Sequence, residues 1–167
     1  MRNRFLNAGW VAIFCTQILA FSAFASQERQ DLMAGEQRAV RTLISQWVEA
    51  YRDLDARRLA ALETPDVVVV DRFGEVHVPH GRRETERLWS DAFAMVSTNN
   101  PPVTVTIDHI QFIRPDAAVV QVSWRFAEGI LLTDGERIPL YSQVDTYVLI
   151  KRKNVWLVAA HNMQEKP

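Results

Sequence analysis

Cysteine is almost absent from this chain: Cys15 is the only one in 167 residues, and it lies close to the N-terminus. There is no repeat, no low-complexity segment and no interior linker. Nor does charge of either sign prevail, with 19 basic residues against 20 acidic ones and a formal net charge of −1. Each shortage removes a class of function. A domain without its own cysteine has no disulfide framework, no thiolate nucleophile and no cysteine metal site. A balanced charge leaves no electrostatic footprint for nucleic acid. No G-x-G-x-x-G fingerprint, phosphate loop, serine elbow or zinc-protease motif is present, so nucleotide-dependent and common hydrolytic chemistries have no sequence support.

What is present begins with a leader. Arg2 and Arg4 are followed by an uncharged run from Phe5 to Gln27, and Ala23-Phe24-Ala25 is a small-x-small cleavage site. This is the layout of a secretory signal peptide. We place the signal at residues 1–25, a polar lead-in at 26–36 and the domain at 37–167. The competing reading is an uncleaved anchor, because an uncharged run of this length spans a bilayer. Cleavage after Ala25 leaves 142 residues with a charge of −3 and no cysteine, enough for one domain held by burial alone. The expected location is periplasmic or secreted, with no stable membrane association after cleavage.

Helical spacing dominates the first half. Val40, Leu43, Ile44, Trp47, Val48 and Tyr51 share one face of a helix. The indole N–H of Trp47 and the phenol of Tyr51 need partners if buried. Asp55 is a good N-cap for a short second helix over 56–62. Val67-Val68-Val69-Val70 is a buried strand that ends at Asp71, and Phe73-Gly74-Glu75 turns it into a short return strand, 76–78. His77 and His80 lack a third ligand nearby and read as solvated loop histidines, so no metal and no cofactor is expected. Residues 82–96 form a third helix with Leu88, Trp89 and Phe93 inward.

After the loop at 97–102 the period changes to 2. One strand runs from Val103 to Phe112. The next carries Ala118, Val120, Val122, Trp124 and Phe126 on one face. The segment Leu140–Asn162 then reads as two long strands around a basic turn. With the turn centred on Arg152-Lys153, Tyr147 lies opposite Val158, Asp145 opposite Ala160 and Gln143 opposite Asn162. One face then holds Gln143, Asp145, Tyr147, Leu149, Trp156, Val158, Ala160 and Asn162. The other holds Val144, Thr146, Val148, Ile150, Val155, Leu157, Ala159 and His161 and is nearly all aliphatic. Neither suits water, so the aliphatic face is expected to form a homodimer. The mixed face looks into a cavity lined by Trp47, Tyr51, Trp89, Trp124, Phe126, Tyr147 and Trp156, with Asp71, Asp145 and Asn162 as convergent polar groups. A one-residue shift would exchange the two faces. The fold class is α+β, with three helices packed on a curved, mainly antiparallel sheet.

This order of elements resembles the nuclear transport factor 2-like superfamily, the cone-shaped fold of ketosteroid isomerase and the SnoaL-like cyclases, over residues 37–164. The strand with Tyr147, the basic turn and Trp156-Leu157-Val158-Ala159-Ala160-His161-Asn162 is similar to the ending of SgcJ/EcaC-type proteins. Ketosteroid isomerase pairs an aspartate base with an oxyanion hole of a tyrosine and a protonated aspartate. The resemblance implies Asp71 in the place of the base and Asp145 in the place of the neutral donor. Trp47 stands where the tyrosine would be. The fold serves many chemistries as well as plain binding, so three readings remain open. The domain binds a small apolar or cyclic molecule; or it is a cofactor-free isomerase, dehydratase or cyclase using Asp71 and Asp145; or it is a structural dimer without a ligand.

Overall fold

The computed structural model describes residues 8–97, 103–138 and 141–166, the side chains of residues 8–26, 29 and 141 apart. The chain divides into two compact units, residues 1–38 and 39–167. The described part of the first unit is helical: α1 spans Ala8–Arg52, so the polar lead-in at 26–36 is helix. The side chains of the proposed leader lie outside the described residues.

The second unit holds the rest. α2, Ala56–Ala61, starts as expected from an Asp55 cap whose carboxylate accepts the Arg58 backbone N–H at 2.9 Å. It ends sooner than expected, because β1 already begins at Glu63 and spans Glu63–Val70. β2 is the two-residue return strand Val76–His77, and α3 spans Arg82–Ala94. Then come β3, Thr104–Arg114; β4, Ala117–Phe126; the short pair β5, Ile130–Leu131, and β6, Arg137–Ile138; β7, Tyr141–Arg152; and β8, Val155–Lys166. Six strands form one sheet in the order β2-β1-β8-β7-β4-β3. All its pairings are antiparallel except β1 with β8.

The alternation read from β4 holds: Ala118, Val120, Val122, Trp124 and Phe126 are all buried. On β7, Gln143, Asp145, Tyr147 and Leu149 point inward with them. The inner face packs against Val40, Leu43, Ile44, Trp47 and Val48 of α1 and against Trp89 and Phe93 of α3. Burying a side chain of this size contributes about 1.5–3 kcal/mol, so these residues carry most of the fold.

The β7–β8 register differs from the expected one in two steps. The turn is centred on Lys153-Asn154, both with positive φ, 51° and 64°, and Arg152 pairs with Val155. This is the backbone of a type I′ hairpin. It displaces the register by two residues, which leaves every side chain on its expected face. The second step does not. Leu149 pairs with Val158 but Val148 pairs with Ala160, so Ala159 is an extra residue, a bulge. Beyond it the faces exchange. His161 turns inward opposite Tyr147, and Asn162 lies opposite Thr146 on the outer side.

Lys at the first of two left-handed positions carries a backbone cost that Asn-Gly does not. Replacing Lys153→Asn together with Asn154→Gly is expected to raise unfolding stability by about 0.5–1 kcal/mol. Urea titration with an unchanged m-value is the check.

Candidate functional site

The interior contains ionisable groups that an apolar core does not need. Asp145 is 1% exposed, His161 1% and Glu63 0%. Each is tolerable only because hydrogen bonds replace water.

Asp145 is held by three donors. Gln143 donates its amide to Oδ1 at 3.0 Å, and the Tyr147 phenol donates to Oδ2 at 3.2 Å. His161 donates through Nε2 to the same Oδ2 at 3.0 Å, the tautomer that an acceptor partner requires. The spacing follows from the sheet. Gln143, Asp145 and Tyr147 are alternate residues on one strand, and His161 sits directly opposite Tyr147 on the next. The imidazole and phenol rings stack, with centroids 4.4 Å apart and planes 7° from parallel. Burial raises the Tyr147 pKa well above the usual phenol value, and the neighbouring Asp145 charge adds to this, so the ring keeps its proton and remains a donor. Asp145 therefore acts as an acceptor at both oxygens. The neutral-donor role expected for it belongs to the other imidazole tautomer, in which Nε2 accepts from the Asp145 carboxyl.

Glu63 is the second centre, and the sequence reading does not include it. The Trp47 indole donates to its Oε1 at 3.1 Å and the Trp89 indole to its Oε2 at 2.9 Å. Burial pushes its carboxyl up to about 6 from 4.5, against the two indole bonds and the charge of His161, which pull it down. A signal exists in the sequence: two indoles read as buried need acceptors, and Glu63 is an acid close to a wholly apolar run. Pro65 hides it, by making the stretch between the second helix and that run look like a loop.

Aromatic rings join the two centres. Trp47 lies 4.9 Å from His161, 5.6 Å from Trp89, 5.2 Å from Tyr147 and 6.0 Å from Trp124, centroid to centroid. Tyr51 stacks on Trp47 at 5.7 Å, and Phe126 stacks on Trp124 at 6.3 Å. Six of the seven expected lining aromatics thus belong to one inner cluster; the seventh, Trp156, is buried and meets Phe112 edge-on at 5.9 Å. Two of the polar atoms in it have no partner among the described residues: Trp124 Nε1, and Nδ1 of His161.

Asn162 and Asp71 stand differently. Asn162 was expected to line the interior and is on the outer side, because the Ala159 bulge reverses the faces. The same reversal brings in His161, which was expected on the outer face. Asp71 closes the β1–β2 hairpin: Oδ1 accepts the Phe73 and Glu75 backbone N–H groups at 2.8 and 2.9 Å, and Oδ2 accepts from His77 Nε2 at 3.1 Å. Partial burial tends to raise its pKa, but the His77 and backbone bonds outweigh it and hold the carboxyl below its usual value. Its partners and those of Asp145 are separate sets. Asp71, Glu75 and His77 offer ligand-type atoms within 4.8 Å of one another. They are the residues that would receive a metal ion, although the Asp71–His77 bond already occupies part of that set.

The SnoaL-like domain model matches residues 44–154. No functionally curated protein matches the sequence. Among solved structures, a ketosteroid isomerase-like protein from Erwinia carotovora is 15% identical, with a TM-score of 0.67 over 78% of this chain and 96% of its own. A hexachlorocyclohexane dehydrochlorinase is 16% identical, with a TM-score of 0.67 over 81% of this chain and 88% of its own. An NTF-2 like protein of unknown function from Shewanella oneidensis is 15% identical, with a TM-score of 0.59 over 77% and 98%. At these identities the likeness is one of fold. It bears out the α+β nuclear transport factor 2-like architecture, at the level of the SnoaL-like domain and not of the SgcJ/EcaC-type branch.

The raised Glu63 carboxyl has a consequence for stability. The folded state holds this proton more tightly than the unfolded chain does. The favourable contribution is therefore complete below pH 4.5 and lost as pH rises through about 6. Wild-type protein should lose about 2 kcal/mol relative to Glu63→Gln across that window. Denaturant unfolding of both proteins between pH 4.5 and 6.5 reads this directly, and parallel curves would contradict it.

Proposed function

The chain belongs to the SnoaL-like domain family, and from that premise we propose that its interior binds a small apolar or cyclic molecule and that His161 removes a proton from it. The observation that carries the reading is Nδ1 of His161. It is buried in an aromatic interior without a partner among the described residues, while Nε2 is held by Asp145 at 3.0 Å. A structural histidine satisfies both nitrogens. One whose first nitrogen is fixed as a donor to a carboxylate presents a lone pair at the second, which is the arrangement of a general base.

The chemistry follows from the neighbours. Nδ1 takes a proton from a carbon next to an electron-withdrawing group; the C–H bond breaks and an N–H bond forms. The electron pair stays on the substrate, where it delocalises or expels a leaving group. Asp145 stabilises the imidazolium, and Gln143 and Tyr147 keep Asp145 in position. Low-dielectric walls strengthen each of these interactions. Isomerisation and elimination both fit, and the name of the dehydrochlorinase neighbour describes an elimination from a ring. The base is assigned to His161 and not to Asp71, because both Asp71 oxygens are already engaged by the hairpin's backbone N–H groups and His77. The uncharged run after Arg2 and Arg4 supports a site of action outside the cytoplasm.

The full chain in deuterated buffer, given a panel of cyclic ketones and halogenated cyclohexanes, is expected to exchange or eliminate a proton from at least one of them, as read by NMR. His161→Ala should lower that rate by about 10²–10⁴. Wild-type inactivity across the panel, or full activity in the variant, would sink the assignment.

A homodimer through the outer face of the sheet is a second proposal. Val148 and Val155 are 37% and 57% exposed there, beside half-buried Val119, Val144, Ile150 and Leu157. Such a continuous aliphatic surface is costly to leave in water. Sedimentation should give a dimer for the wild type and a monomer for Val148→Arg.

A further inference from the structure

His161 is enclosed from several sides, and the elements around it contribute unequally. β7 supplies Asp145 and the Tyr147 phenol, both hydrogen-bonded. α1 and α3 supply rings: Trp47 at 4.9 Å and Trp89 at 6.2 Å from the imidazole. Behind those two rings stands Glu63 of β1, fully buried, accepting one indole N–H on each oxygen. An acid in this position is expensive. Its hydrogen-bond donors are two neutral indoles, which compensate only part of the lost hydration. An amide or a hydroxyl would satisfy an indole at lower cost. The pair of bonds also does something that core packing does not need: it ties two helices to one point on the sheet and fixes the orientation of two rings that face the same imidazole.

Resting on the proton-transfer reading of the site, we propose that Glu63 is a positioning residue for His161: it clamps Trp47 and Trp89 against the imidazole and sets a second negative charge beside the one from Asp145. The two effects act at the same moment. When Nδ1 takes a proton the ring becomes a cation. It then lies against the Tyr147 ring, 7° from parallel, and the Trp89 ring, 27° from parallel, whose faces attract a cation, and it feels the charges of two carboxylates. Without Glu63 the indoles lose their common anchor, and the cation is balanced by Asp145 alone. Glu63 touches neither substrate nor reacting atoms in this scheme. It acts through the rings and through the field.

The test separates this role from a merely structural one. His161 already pulls the Glu63 carboxyl down by its charge. Coupling of this kind is mutual. The Glu63 side-chain carbon, followed by NMR in the full chain, should therefore titrate near 6 in the wild type and measurably higher in His161→Gln. In Glu63→Gln the His161 ring C–H signals should move by several tenths of a ppm as the indoles turn. kcat for the exchange reaction should fall at least fivefold, with KM within twofold. Trp89→Phe keeps the ring but removes the Oε2 bond, and should move the His161 signals in the same direction if Glu63→Gln does not fold. Folded variants with unmoved His161 signals and an unmoved Glu63 titration would overturn the proposal. If the signals move but the wild type exchanges no proton from any compound, the positioning role of Glu63 stands and the proton-transfer reading of His161 falls.

Discussion

The cost of placing carboxylates inside a protein governs the rest of this structure. Glu63 and Asp145 are almost completely removed from water, and an unpaired charge there would outweigh the whole net stability of a domain this size. Each is retained because the elements around it converge donors on it. Asp145 receives an amide, a phenol and an imidazole from the last two strands; Glu63 receives an indole from each of two helices. The aromatic content of the interior is therefore more than hydrophobic mass. Trp47, Trp89 and Tyr147 each bury a ring and commit their one donor to a carboxylate. Removing either indole leaves a buried Glu63 oxygen unmet, which costs more than the bond itself contributed.

Most of the architecture was legible in the sequence because it rests on periodicity. The stripe from Val40 to Val48 and the alternation from Ala118 to Phe126 each bury the residues they predict, with Tyr51 half-buried at the end of the first. Apolar spacing and burial have the same physical cause there. The inward set on β7, with Asp145 among apolar neighbours, was legible for the same reason. What periodicity does not encode is a change of phase within a strand. Val158, Ala159 and Ala160 are all apolar, and two small alanines fit either face. Nothing in their chemistry marks the residue at which β8 slips by one. Misplacing the turn by two was harmless, since two is the period of a strand. The single bulge was decisive, since one residue is half of it. It exchanged His161 for Asn162, and with them the chemistry of the interior.

Glu63 and Asp71 illustrate the other limit. Both flank the same apolar run, and local reading favours Asp71 because it ends the strand where a functional acid is sought. The structure gives Asp71 a local job, closing its own hairpin with backbone N–H groups and His77. Turn-closing by Asp is written in short-range sequence. Glu63 is the reverse case. Its partners lie 16 and 26 residues away on two helices, and only the assembled core brings them together. A carboxylate with distant partners leaves no local signature. Its trace is indirect, in the two indoles that have to find acceptors somewhere.

These considerations converge on the bulge. Had β8 continued without it, the imidazole would lie on the outer side and an amide would face Tyr147 and Asp145. Asn162 could still hydrogen-bond Asp145, and Glu63 would still hold its two indoles, so the core would remain satisfied. What would be missing is a ring able to keep one nitrogen free while bonded at the other. The fold's stability does not require His161 to face inward. Its orphaned Nδ1 is a liability for stability alone. The bulge carries the imidazole into an aromatic interior and leaves one of its nitrogens without a partner among the described residues, a cost to the core that the proposed proton transfer would put to use.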